Sequence, residues 1–134
     1  MHPIQEQLAI EMGDELNQIL SYWQEFSLDH PYGGFVGERD FNNRLVEKSP
    51  KGIILNSRIL WSFAAAGNFL KTDQFNPICE RSFDYLYTFF RDPEFGGVFW
   101  ELDFQGKKLN SRKQVYAQAF MIYALSEYAK LGKN

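Results

Sequence analysis

An internal repeat constrains this chain more than any other feature. The segment "DHPYGGFVGERDF" (29–41) lines up with "DPEFGGVFWELDF" (92–104), so that Asp29, Gly33, Gly34, Asp40 and Phe41 correspond to Asp92, Gly96, Gly97, Asp103 and Phe104. Every pair is separated by the same 63 residues. A period of this length marks an array of helical hairpins, and a single hairpin cannot bury its own apolar faces. The 134 residues hold two such units, about 1–70 and 71–134, with no linker or low-complexity stretch between them.

Apolar periodicity supplies the helices. Ile4, Leu8, Met12, Leu16, Ile19, Trp23 and Phe26 recur every three or four positions, one face of a first helix from about residue 3 to 27. It should stop before "DHPYGG", where Pro31 and the glycine pair break it. Ser49 as N-cap and Pro50 at the first helical position predict a second helix running to about Leu70. A third starts near Asp73 or Asn76, presents Phe75, Ile78, Cys79, Phe83, Leu86, Tyr87 and Phe90 on its apolar face, and ends at "RDPEFGG". Ser111 with Gln114 reads as a capping box for a fourth, extending to about Leu131. The two Gly-Gly segments are too short for helices and read as extended or hairpin loops.

The helices are of two kinds. The first and third are amphipathic. The second carries only Arg58 between residues 52 and 70, and the fourth has no charge from Val115 to Ser126. A helix without a polar face belongs in an inner layer. Helices two and four should therefore line an inner ring, with one and three outside and solvated on one face.

Charge and composition exclude several classes. With a net charge of −3 and no basic stripe, nucleic acid is not an expected partner. Cys79 is the single cysteine, so no intrachain disulfide can form and no zinc or other metal site is indicated. The N-terminal residues show no signal-peptide pattern. Asn56, Arg58 and Asn68 make membrane insertion of the 52–70 run costly. The expectation is a cytoplasmic soluble protein without cofactor. Thirteen Phe, seven Tyr and three Trp fit a dense core, carbohydrate stacking, or both.

Three segments together, "KGIILNSRILWSFAAAG" (51–67), "DPEFGGVFWELDFQG" (92–106) and "KQVYAQAFMIYALSEYAK" (113–130), resemble the N-acylglucosamine 2-epimerase family, above all its members acting on cellobiose. The resemblance runs from about Leu8 to the C-terminus. It implies an all-α (α/α)6 toroid in which residues 1–134 are the N-terminal part of one barrel domain, two hairpins of six. It also implies reversible C2 epimerisation of the reducing-end glucose of β-1,4-linked disaccharides, through ring opening and an enediolate. The family motif N-[AS]-R-I-L-W stands here as Asn56-Ser57-Arg58-Ile59-Leu60-Trp61. By resemblance Arg58 binds the substrate near O1 and O2 and stabilises the enediolate, and Tyr116 of "YAQAF" hydrogen-bonds the substrate. These are the two expected catalytic and substrate-binding residues.

The family's acid/base histidines come from later hairpins. Of the two here, His2 and His30, neither matches such a position, so the chain by itself is expected to be inactive and its unclosed edge to favour self-association. Plainer readings remain beside these. A lone arginine in an uncharged helix more often pairs with an outer-helix carboxylate, and Tyr116 could be a core tyrosine. Trp61 reads as packing and Asn56 as a partner for loop backbone. Glu38, Asp40, Glu101 and Asp103 could imitate a glycosidase pair but are better read as loop-fixing acceptors or solvated charges. Alternative functions are an N-acylglucosamine or mannose-type epimerase, an (α/α)6 glycoside hydrolase, and a non-catalytic helical-repeat binding module.

Overall fold

The computed structural model describes residues 3–132. Helix α1 spans Pro3–Phe26, and strand β1 (Lys51–Gly52) leads into α2 (Ile53–Leu70). Helix α3 (Asn76–Tyr85) continues as a π-helical turn over Leu86–Phe90. Strands β2 (Glu101–Leu102) and β3 (Lys108–Asn110) precede α4 (Val115–Tyr128). The strands form one antiparallel sheet in the order β1-β2-β3.

Two helix starts differ from the sequence reading. Helix α2 begins at Ile53, not at Pro50, because Lys51 and Gly52 pair with Leu102 and Glu101 of the second repeat. Ile53 N then donates to Trp100 O at 3.1 Å, while the Ser49 hydroxyl donates to Val46 O and caps nothing. Cross-repeat pairing thus outweighs a local cap that contributes about 1 kcal/mol. Likewise, Gln114 occupies the cap position of α4 in extended conformation without a side-chain cap bond, so the Ser111–Gln114 box is not formed. For α3, the start left open between Asp73 and Asn76 falls at Asn76, whose amide bonds Asp73 O.

The π-helical turn explains a further difference. Arg91 N bonds Leu86 O, five residues back, so the helix face slips by one residue. Tyr85, Leu86 and Phe90 become buried while Tyr87 and Phe89 face out. A regular 3.6-residue period had placed Tyr87 inside.

The core gathers around α2. Ile53, Leu60, Phe63 and Ala64 meet Cys79, Leu86 and Phe90 from the α3 hairpin and Ala117 and Ala124 from α4. Trp61 stacks on Tyr123, and Asn68 Nδ2 donates to Glu127 at 2.8 Å. Both contacts advance in the same direction along the two helices, so α2 and α4 run parallel. Helix α1 covers α2 only in its second half, through Leu16, Leu20 and Trp23. Ile4, Leu8 and Met12, on the predicted apolar face, are exposed among the described residues.

The repeat is written in hydrogen bonds. Asp29 N donates to Gly34 O, and Asp92 N to Gly97 O; Gly33 N donates to Asp29 O, and Gly96 N to Asp92 O. Asp40 Oδ1 accepts the amides of Asn42 and Arg44, as Asp103 Oδ1 accepts those of Gln105 and Lys107. Glycine is needed at two of these positions. Gly34 has φ +63° and a Cβ there would stand 2.7 Å from the Tyr85 ring; Gly97, at φ +72°, lies as close to Gln118. Gln118 in turn holds both the amide and the carbonyl of Val98, at 2.8 and 2.9 Å.

Candidate functional site

Arg58 is the sixth residue of α2 and Tyr116 the second of α4. Because these helices are parallel, both residues sit toward N-terminal ends that point the same way. Such ends carry partial positive charge and favour an anion.

The Arg58 side chain is exposed. Among the described residues it has no ion pair and no hydrogen bond, so the outer-helix carboxylate partner is not present. It borders an open cavity of about 650 Å³, walled by Ile19, Leu20 and Trp23 of α1 and by Ile54, Leu55 and Ser62 of α2. Tyr116 is 60 % exposed and rests edge-on against Phe120, with ring centroids 4.8 Å apart. It does not line the Arg58 cavity, and among the described residues no hydrogen bond or ring contact joins the two side chains. The fold sets Arg58 and Tyr116 on adjacent helices at one end of the molecule without bringing them together.

The remaining sequence candidates divide cleanly. Asp40 and Asp103 each fix a turn through two backbone amides, as loop-fixing acceptors do. Glu38 lies 3.5 Å from the Ser49 hydroxyl and Glu101 belongs to β2. Asn56 is buried and donates to Gly52 O at 2.8 Å, while its Oδ1 has no partner. His30 lines a different cavity, about 450 Å³, between the first Gly-Gly loop and residues 45–51. His2 lies outside the described residues. No group of three or more His, Cys, Asp or Glu side chains among the described residues could hold a metal ion.

Sequence reasoning missed one polar cluster. Lys51 is 1 % exposed, and its Nζ reaches Asp29 Oδ2 and Gly33 O at 2.7 Å each while standing 5.0 Å from the centroid of the Tyr85 ring. Burial lowers the Lys51 pKa against the pull of Asp29. Burial also pushes the Tyr85 phenol up to about 12, and its hydroxyl finds no partner. The available signal was Asp29 itself, which recurs in the second repeat as Asp92. The second repeat answers with Lys113 on Asp92, at 2.6 Å.

An unpaired guanidinium presents parallel donors to neighbouring oxygens.

The chain is similar to known carbohydrate epimerases. Residues 13–134 match the family described as N-acylglucosamine 2-epimerase. The chain is 43 % identical over 124 residues to the cellobiose 2-epimerase of Bacteroides fragilis, covering 92 % of this chain and 32 % of that enzyme. It is 37 % identical over 114 residues to that of Dictyoglomus turgidum, covering 85 % and 29 %. The solved cellobiose 2-epimerase of Bacillus thermoamylovorans superposes with a TM-score of 0.90 at 32 % identity, over 96 % of this chain and 33 % of that one. These neighbours are (α/α)6 barrels, so the all-α expectation holds, with a small sheet added. The chain spans about a third of the length of the relatives it matches. Two repeated hairpins, an uncharged inner pair of helices and an unpaired arginine in the N-S-R-I-L-W motif thus have one common origin: the chain belongs to the N-acylglucosamine 2-epimerase family.

Proposed function

We propose that these residues supply the oxyanion clamp of a sugar 2-epimerase acting on the reducing-end glucose of β-1,4-linked disaccharides such as cellobiose. Arg58 would hold O1 and O2 of the opened sugar. As the C2 proton leaves, charge develops on the carbonyl oxygen, and a fixed cation there is the largest stabilising term such a site can offer. Tyr116 would hydrogen-bond the same substrate from the neighbouring helix.

The observation carrying this reading is the state of Arg58: charged, exposed and without a partner, on an otherwise uncharged helix. The N-terminal ends of α2 and α4 add a favourable field for the enediolate. Among the described residues, His30 is not in the lining of the Arg58 cavity, so the chain by itself would hold a clamp without a proton-transfer pair. We place the reaction in the cytoplasm, where a lone buried thiol stays reduced.

The test is C2 proton–deuterium exchange on cellobiose in D2O. The 134-residue chain should give none. Substituted for the matching third of the Bacteroides fragilis enzyme, it should restore exchange. Arg58→Ala in that chimera should then cost about 10²–10³ in turnover. Full exchange by the Arg58→Ala chimera would remove the clamp role. The hydrolase alternative requires instead that Asp40→Asn or Asp103→Asn abolish activity while Arg58→Ala is tolerated.

A further inference from the structure

Tyr123 lies seven residues after Tyr116 on α4, and Trp61 lies three after Arg58 on α2. Seven residues are two helical turns, so Tyr116 and Tyr123 share a stripe about 10 Å long. The two rings, Trp61 and Tyr123, stack across the α2–α4 groove with centroids 5.0 Å apart and planes 13° apart. Trp61 packs against the core, and its indole N–H is buried without an acceptor, so it offers the groove no polar edge. Tyr123 is the opposite case. It is 53 % exposed, has no other ring contact among the described residues, and its hydroxyl is uncommitted.

We propose that Tyr123, held flat by Trp61, is a third substrate-contacting residue, a platform for the apolar face of a pyranose ring. The inference rests on the sugar-binding reading of Arg58 and Tyr116 and extends it to a third side chain. One ring face is taken by the indole, which leaves the other face and the hydroxyl for ligand. Flat aromatic rings bind the C–H face of a sugar through apolar contact, while the hydroxyl can bond an equatorial oxygen. The stack matters because a lone exposed tyrosine loses rotamer freedom on binding, whereas Tyr123 is already oriented. Trp61 is then a positioning residue.

Saturation-transfer NMR with cellobiose on the 134-residue chain tests this. Transfer to sugar ring protons should be seen in the wild type, with the Tyr123 ring protons shifting as sugar is added. Tyr123→Leu should weaken binding about tenfold, and Tyr123→Phe, which keeps the face, should stay within about threefold. A Tyr123→Leu chain that binds as the wild type does, or wild-type Tyr123 protons that do not respond to sugar, would overturn the platform. Arg58→Ala separates the two claims. If it loses binding while Tyr123→Leu does not, the clamp stands and the platform falls; the reverse result leaves the platform and removes the clamp.

Discussion

Lys51 Nζ and Asp29 Oδ2 form an ion pair 2.7 Å long that is nearly sealed from solvent, with the lysine side chain 1 % and the aspartate 10 % exposed. Asp29 begins the first Gly-Gly loop and Lys51 stands in the strand that pairs with the second repeat. The pair therefore joins the loop that follows α1 to the seam between hairpins, immediately before the helix that carries Arg58.

Removing one member leaves the other charge buried and unpaired, which costs about 3–5 kcal/mol. Lys51→Met and Asp29→Asn should each lower the urea midpoint strongly. The double variant should regain much of the loss. Equal and additive losses in the cycle would mean the two groups do not interact.

Asp92 behaves differently because its partner, Lys113, is partly exposed. The hydrogen bond from Lys113 holds the Asp92 carboxyl at about 2, below its ordinary 3.8. A folded value below the unfolded one contributes stability present above pH 3.8 and lost as pH falls toward 2. Lys113→Met should flatten the stability profile across that window, as read by thermal melts at stepped pH.

At the alkaline end the sign reverses. Burial pushes the Cys79 thiol from 9.0 to about 12 and the Tyr85 phenol from 10.0 to about 12. Folded values above unfolded ones contribute stability that is complete below pH 9 and lost as pH rises to 12. Lys51, lowered by burial, works in the opposite direction up to 10.5. Comparing the wild type with Cys79→Ala isolates the thiol: the variant should lose less stability between pH 9 and 10. Identical slopes would show that the thiol ionises equally well in the folded chain.

Arg58→Ala should leave folding almost untouched, within about 0.5 kcal/mol, because the side chain is exposed and unpaired. A structural arginine in a hidden ion pair would cost several times more. A chemical denaturation curve for the variant decides between them.

Helix α4 leaves Val115 and Ile122 84 % and 65 % exposed. We expect the isolated chain to self-associate through this edge. Ile122→Lys should shift light-scattering mass toward the monomer. A wild-type chain that is monodisperse and monomeric at high concentration would count against the open edge.

Much of the architecture was readable from residue order. The offset of 63 between the Gly-Gly loops announced paired hairpins, and the loop hydrogen bonds obey it residue by residue. The uncharged helices around Arg58 and Tyr116 were visible as composition alone. The failures have a shared cause. Ser49–Pro50 and Ser111–Gln114 are good local cap signals, yet Lys51 and Gly52 pair with strand residues about fifty positions away, and Gln114 stands extended with no side-chain cap bond. Tyr87 and Tyr85 exchanged places because one i→i+5 bond after Leu86 is invisible to a fixed period.

The sequence by itself determined what is periodic and what is compositional: two hairpins, their uncharged and amphipathic helices, and the family. Only the tertiary structure decided the pairings: Lys51 with Asp29, Trp61 with Tyr123, and Arg58 with no partner among the described residues. The physical reason is range. Helical periodicity and turn chemistry are set by neighbours within a few residues. A buried charge or a stacked ring is set by whichever distant segment arrives to exclude water from it.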